Sequence, residues 1–335
     1  MLKIFKVRPK GVKFSGYSRW IFLFTLILAA ILLFLALRGV DWKELCYIIQ
    51  SARWEYLAIA FLLVSANYIM RALRWRVLLS AERWMSVLDV FCAMMVGYMG
   101  NSFLPARAGE IVRSVALGRR AKISSSFVLA TALTERILDA CVLVLIGSAT
   151  LTILLGTSHA LLNAGKGMAI ISAAGLVGIF ILPMLERPTQ WALGHLPLPS
   201  SWKAKLSGLL QQFLLGIRSL RHTGRALSFF AFTAIIWMVE AFVTITVARS
   251  LALAFSVPQA LLLNVALGLS SAIPSTPGYI GVFQFVAVSI LAPLGFNQNQ
   301  ALAYILVAQA LGYIITIWWG LFGLWRLRLF GSKSG

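Results

Sequence analysis

Asn101-Ser-Phe-Leu-Pro-Ala-Arg-Ala-Gly109 breaks an apolar stretch running from Val87 to Leu117, and Ser271-Ala-Ile-Pro-Ser-Thr-Pro-Gly278 breaks a second one, Pro258–Leu294. Each stretch reads as helix, break, helix. The breaks resemble each other at a constant offset of 169: Asn101-Ser102-Phe103-Leu104-Pro105-x-x-x-Gly109-x-Ile111 lies over Ser270-Ser271-Ala272-Ile273-Pro274-x-x-x-Gly278-x-Ile280. Their surroundings repeat as well. The first half runs helix, amphipathic linker, helix, broken segment, long helix, and the second half repeats that order from residue 167 onwards.

Spanning about 30 Å of hydrocarbon takes roughly 20 helical residues. Trp20–Leu37, Trp54–Leu73, Ser126–Leu155, Gly167–Leu185, Leu227–Ala248 and Ala301–Trp325 meet that length. The basic run Lys3, Lys6, Arg8, Lys10, Lys13 and Arg19 precedes Trp20–Leu37, which is longer than a signal-peptide core and lacks a small-x-small cleavage site; it reads as an uncleaved first span. Composition agrees. Hydrophobic residues make up 60% and charged residues 12%, with mean hydropathy +0.87, a balance that suits an exterior facing lipid. The net charge of +20 does not indicate nucleic acid, because the basic residues sit in short clusters beside apolar runs. Cys46, Cys92 and Cys141 form no CxxC pair, which argues against a disulfide framework or a zinc site.

Charge then sets the topology. If each broken segment is a hairpin that enters and leaves on one side, the clusters Arg71–Arg83, Arg113–Lys122, Arg187–Arg225 and Arg326–Lys333 join the N-terminal run in the cytoplasm. Only Arg38, Lys43, Arg53, Lys166 and Arg249 then lie outside, and Arg107 and Arg136 stay within the membrane. A full crossing at Val87–Leu104 would put Arg113–Lys122 outside and invert every later loop, against the positive-inside rule. Three crossings per half make the second half inverted. The expected fold is therefore an all-α multi-pass membrane protein with six full spans and two re-entrant helical hairpins in an inverted-topology repeat. Residues 1–19 form a basic cytoplasmic N-terminus, 20–156 the first repeat, 167–328 the inverted second repeat and 329–335 a short cytoplasmic tail. Both linkers are amphipathic, through Trp42, Leu45, Ile49 and Ala52 in one and Trp202, Leu206, Leu209, Phe213, Ile217 and Leu220 in the other. They read either as interfacial helices or as faces docked on other helices.

Irregular backbone at membrane depth is tolerated where it is buried in protein or lines a polar cavity, so the hairpin tips are the candidate site. Each returning arm starts with a helix N-terminus, which favours an anion. In the second tip Thr276 can cap and Pro277 suits the first helical position. In the first, Arg107 and Arg113 flank Glu110, and arginine grips phosphate in bidentate fashion. The candidate substrate-binding residues are Asn101, Arg107, Gly109, Glu110, Arg113, Ser275, Thr276 and Gly278. An Arg107–Glu110 pair that merely braces the hairpin is the structural alternative. Glu135, Arg136 and Asp139 form an intramembrane cluster, with Arg136 and Asp139 spaced for a pair, and Glu240 is an isolated acid in a later span. Unpaired, each costs roughly 3 kcal/mol, so they face the protein interior or water, as structural ion pairs or as a coupling relay. His159, His195 and His222 fall in loops, and neither a complete Gly-x-Ser-x-Gly nor a Walker motif is present. No catalytic residue, metal ligand or cofactor is expected, and the chain reads as no enzyme.

Asn101-x-x-Leu-Pro-x-Arg-x-Gly-Glu110-x-x-Arg113, followed by Glu135-Arg136-x-x-Asp139, resembles the flippase-like family, also called the lysylphosphatidylglycerol synthase transmembrane region. Pro274-x-x-Pro-Gly278-x-x-Gly281-x-Phe283 resembles its second signature. The resemblance covers nearly the whole chain after the basic N-terminus. It implies movement of a phospholipid or other polar lipid between leaflets of the inner membrane. The larger synthases carry a soluble aminoacyl-transferase domain after the membrane part; this sequence ends at Gly335, which argues against lipid aminoacylation. The family pattern places an acid after the aromatic of the second signature and a glycine after Pro-Gly. Gln284 and Tyr279 stand there instead, which argues against proton coupling at the acid's position. Alternative expectations are a secondary transporter of a small anionic solute, or a non-transporting partner of a lipid-modifying enzyme.

Overall fold

A computed structural model of the chain describes residues 16–104, 108–155, 199–271 and 276–327, with isolated positions at 167, 170, 172, 174, 191 and 195. All regular structure among the described residues is helical. Helices α1 (Gly16–Leu37), α2 (Trp42–Gln50), α3 (Trp54–Leu79), α4 (Val87–Phe103), α5 (Gly109–Ala121) and α6 (Ser125–Leu155) form the first half. Helices α7 (Ser200–Ile217), α8 (Thr223–Ser250), α9 (Val257–Ser270), α10 (Val282–Leu291) and α11 (Gln298–Arg326) form the second, with 3-10 turns at Arg218–Arg221, Pro277–Tyr279 and Ala292–Leu294. The expected span Gly167–Leu185 lies outside the described residues apart from isolated positions.

The protein is a multi-pass membrane protein. Five stretches, α3, α6, α8, Pro277–Leu294 and α11, are long and apolar enough to cross a bilayer, and Leu26–Leu37, α4 and α9 are shorter apolar helices. Their outer faces show why: Ile314, Trp318, Leu321 and Trp325 form an exposed stripe along α11 at helical spacing. Exposed Trp42, Trp54, Trp84 and Trp325 mark helix ends, the usual place for tryptophan at a membrane interface. At 17 and 14 residues, α4 and α9 extend about 25 Å and 21 Å, short of the hydrocarbon thickness of about 30 Å. Length alone would let Pro277–Leu294 cross. Gly278 and Gly281, both at positive φ, bend it before the ten-residue α10 begins.

α4 and α5 pack antiparallel: Gly97 meets Arg113 and the Gly109 carbonyl, and Gly100 meets the Gly109 backbone. Arg120 lies 3.4 Å from Asp89, so the end of α5 returns to the start of α4. The second broken segment does the same, with Phe255 before α9 and Phe296 after α10 at 4.7 Å between ring centroids. The two returns occur at opposite ends of the molecule. At one end Leu78, Leu79, Met85, Leu117, Leu220 and Leu327 share a core cluster; at the other Ala36, Leu45, Leu253, Phe255, Leu291 and Ala301 share another. Polar bonds tie the second end: Asn297 and Asn299 donate to Glu44, Gln298 donates to the Ala36 and Arg38 carbonyls, and Arg53 N–H donates to Ser250. Element order recurs near the offset of the breaks: α3 starts at Trp54 and α8 at Thr223, α4 at Val87 and α9 at Val257, α6 at Ser125 and α11 at Gln298.

Of the two amphipathic linkers, α2 docks on α11, burying Leu45 and leaving Trp42 and Tyr47 exposed. α7 docks on α6, where Gly216 lies against the Ala130 carbonyl and Thr134, and Leu214 and Ile217 are buried. Docking takes only part of each face, because Trp202 and Leu206 of α7, like Trp42 of α2, stay exposed.

Candidate functional site

Between the two end clusters lies a cavity of about 360 Å³, lined from both halves. Tyr68 and Tyr98 reach it from the first cluster, Val64 and Leu267 from the second, and Trp237 from the small Leu143–Trp237–Val265 cluster between them. Its lining pairs residues 169 positions apart. Arg71 and Glu240 are so related and bond directly. Tyr68 with Trp237, Tyr98 with Leu267, Ser102 with Ser271, and Glu110 with Tyr279 are further pairs at that separation. The cavity therefore sits where the two halves of the chain meet.

One wall is ionic. α6 presents Glu135 and Asp139 one turn apart toward α3, and Arg74 forks between them: Nη2 lies 2.8 Å from Glu135 Oε1, and Nη1 2.5 Å from Asp139 Oδ1. Nη1 also donates to Thr233 at 3.2 Å, and the guanidinium lies over the Phe229 ring. Arg113 on α5 reaches the other Glu135 oxygen at 3.4 Å and Glu110 at 2.5 Å, stacked on Trp75 at 4.4 Å from the ring centroid. Arg136, on the adjoining face of α6, donates to Glu110 from Nε and Nη2 at 3.2 and 3.0 Å. The network runs from fully buried Arg74 and Arg113 to the cavity surface at Glu110 and Arg136, whose side chains are 11% and 32% exposed. One turn before Arg74 on α3, Arg71 Nη2 donates to Glu240 Oε2 at 3.0 Å, and Asn67 Nδ2 donates to the same oxygen at 2.5 Å.

Another part of the lining is a backbone turn. Gly278, at φ +69, accepts hydrogen bonds at its carbonyl from Tyr313 Oη at 2.6 Å and Gln309 Nε2 at 3.2 Å. Any Cβ on Gly278 would strike the Tyr313 hydroxyl. Gln284 locks the turn by accepting from Gly281 N–H at 2.7 Å and donating to Gln309. Tyr279 stacks on Phe283 with ring planes 9° apart.

Of the residues singled out in the sequence, Asn101, Glu110, Arg136, Glu240 and Gly278 line this one cavity. Arg113 lies beneath its wall with both carboxylate partners in place, so it contacts Glu110 rather than the open space. Gly109 serves close packing: a Cβ there would meet the Gly97 carbonyl and Asn101. The expected Arg136–Asp139 pair is replaced by Arg136–Glu110 and Arg74–Asp139, because Asp139 turns with Glu135 toward α3. Thr276 does not cap with its side chain; its hydroxyl donates to the Ile280 carbonyl. Arg107 and Ser275, and with them the Arg107–Glu110 pair, lie outside the described residues. Arg71 and Arg74, expected among the charges of the cytoplasmic side, lie on α3, which extends to Leu79, and both pair with carboxylates within the protein. Helical phase was the available signal: Asn67, Arg71 and Arg74 stand at i, i+4 and i+7, a polar stripe on one face.

The profile described as the lysylphosphatidylglycerol synthase TM region matches residues 22–320. A UPF0104 membrane protein of Methanocaldococcus jannaschii is 25% identical over 223 residues, 66% of this chain and 90% of that protein. The glycosyltransferase AglD of Haloferax volcanii is 22% identical over 328 residues; the match takes in 87% of this chain but only 52% of that enzyme.

Proposed function

Because the chain belongs to the lysylphosphatidylglycerol synthase transmembrane family, we propose that it moves a phospholipid or related polar lipid between the leaflets of the inner membrane. The headgroup occupies the cavity between the two breaks while the acyl chains stay in the bilayer. The observation that carries this reading is a cavity of about 360 Å³ with guanidinium and carboxylate groups on its wall, inside a protein whose exterior is apolar. Charge at membrane depth is costly and is found where it pairs or serves a ligand.

In this reading both broken segments are re-entrant hairpins that dip from opposite faces, and residues 20–156 and 167–328 are inverted repeats. The returns of α5 to α4 and of α10 to α9 at opposite ends support it, as does the lining by pairs at the repeat offset. Both termini are cytoplasmic, following the basic clusters. Arg136 and Glu110 are the ionic rim at the cavity surface, and Arg74, Arg113, Glu135 and Asp139 hold that rim in place. A second reading, a partner subunit of a lipid-modifying enzyme, draws on AglD, a named glycosyltransferase about half of which resembles this chain.

The test is leaflet exchange of labelled phospholipids in proteoliposomes. Arg136→Ala is expected to slow exchange about tenfold or more by removing charge-assisted contacts at the cavity surface, with little change in unfolding temperature. Arg107→Ala is expected to slow it too. Exchange at the wild-type rate in both variants, as folded protein, would refute the headgroup site.

A further inference from the structure

We propose that the cavity wall made by α3, α8 and α9 is an oxyanion site, where Arg71, Trp237 and Asn264 hold a phosphate group in exchange for Glu240. It rests on the transport reading only in naming a lipid as the source of that phosphate.

Three donors on this wall have no acceptor among the described residues: Arg71 Nε, Trp237 Nε1 and Asn264 Nδ2. All three residues line the cavity, and Trp237 and Asn264 are each only 8% exposed. Buried donors are nearly always paired in folded proteins, and each orphan costs about 1–3 kcal/mol. Three on one cavity wall mark a place where an acceptor-rich group completes the bonding. Asn264 is oriented for it. The Thr244 hydroxyl donates to its Oδ1 at 2.8 Å, which leaves the amide NH₂ without a partner. The Arg71 guanidinium lies 5.5 Å from the Trp237 ring centroid, so two of the donors belong to stacked side chains.

The carboxylates decide which guanidinium accepts a ligand. Arg74 is held by Glu135 and Asp139, Arg113 by Glu110 and Glu135, and Arg136 makes two bonds to Glu110. Arg71 has a single carboxylate contact, through one nitrogen, to a side chain that is 32% exposed. That pair is the most easily opened. A phosphate has the oxygens to take Arg71 Nη2 and Nε in bidentate fashion and still accept from Trp237 and Asn264. Glu240 is therefore a competitor for the site. Removing its charge strengthens binding, whereas a purely structural pair would lose stability with no gain in affinity.

Binding of inorganic phosphate and of dihexanoylphosphatidylglycerol to the full chain, purified in an uncharged maltoside, tests this. Glu240→Gln is expected to tighten binding about tenfold, and Trp237→Phe, which keeps the ring but removes the N–H, to weaken it about tenfold. Asn264→Leu should weaken it likewise. Changes seen with both probes assign a site for phosphate from any source; changes confined to the lipid ester assign the headgroup. Unchanged affinity for both probes in folded Glu240→Gln and Trp237→Phe protein, or no binding of either probe to wild type, overturns the proposal. The two readings separate cleanly. Absent leaflet exchange with the expected affinity pattern removes transport alone, and normal exchange with a flat pattern removes this site alone.

Discussion

Arg74 shows how much a single side chain can carry inside a membrane protein. It is fully buried, yet it satisfies two carboxylates and a threonine from α6 and α8, so α3, α6 and α8 are joined through one guanidinium. Removing one member of a buried ionic group leaves uncompensated charge and costs about 3–5 kcal/mol, while replacing the whole group by apolar side chains is often neutral. Arg74→Ala should therefore lower the unfolding temperature sharply in detergent, through stranded Glu135 and Asp139. The double replacement Arg74→Met, Asp139→Leu removes one charge of each sign and leaves Glu135 to Arg113, so it should recover much of the loss. Recovery of stability without recovery of leaflet exchange would show that Arg74 also positions Glu135 and, through it, Arg113 and Glu110. If Arg74→Ala melts at the wild-type temperature, the network is not what joins these helices. The acids of this network were legible in the sequence because they interrupt an apolar helix. Their partner was not, because Arg74 stands at the boundary where arginines ordinarily mark a cytoplasmic flank.

At the scale of elements, the two broken segments were readable because proline and glycine leave a local mark in an apolar run. How each tip is secured was not, because the groups responsible come from elsewhere. Gln284 accepts from Gly281 N–H, and Tyr313 and Gln309 from α11 hold the Gly278 carbonyl, while Thr276 turns its hydroxyl to Ile280. A capping rule sees only neighbours along the chain. In the first segment the packing itself is the constraint. Gly97, Gly100 and Gly109 let α4 and α5 approach until a side chain on Gly109 would overlap the Gly97 carbonyl. Gly109→Ala should cost about 1–3 kcal/mol or more by forcing the arms apart, and should slow transport by moving Glu110 off Arg136. Gly312→Ala in α11, where no atom lies within 4 Å of the added carbon, serves as the control and should leave stability unchanged or raised by roughly 1 kcal/mol. Equal melting of the two variants would mean that the close approach of α4 and α5 carries no strain.

For the whole molecule, the decisive feature is the relation between Arg71 and Glu240, which are 169 positions apart and in contact. A direct bond between positions at the offset of the breaks is what two repeats facing each other across a local axis through the cavity would produce. The halves are nonetheless unlike in chemistry. The first supplies Arg74, Arg113 and Arg136; at the same offset the second has Val243, Val282 and Ile305. The correspondence is one of element order and packing, and among the described residues Glu240 is the one ion that the second half adds to the cavity lining, which is why the offset was visible in the breaks and invisible in the charges. If the repeats are inverted, the two ends of the molecule face opposite sides of the membrane. In a chain with Cys46, Cys92 and Cys141 replaced, Arg119→Cys and His222→Cys should react with a membrane-impermeant maleimide only from the cytoplasmic side. Arg53→Cys and Arg249→Cys should react only from the other side. The sharpest comparison is Arg119 against Arg53. Only α3, the first hairpin and their short connections separate them, and a first segment that crossed the membrane instead of returning would bring both labels to the same face. Labelling of both from one side would remove the inverted repeat, and with it the placement of the cavity at mid-depth.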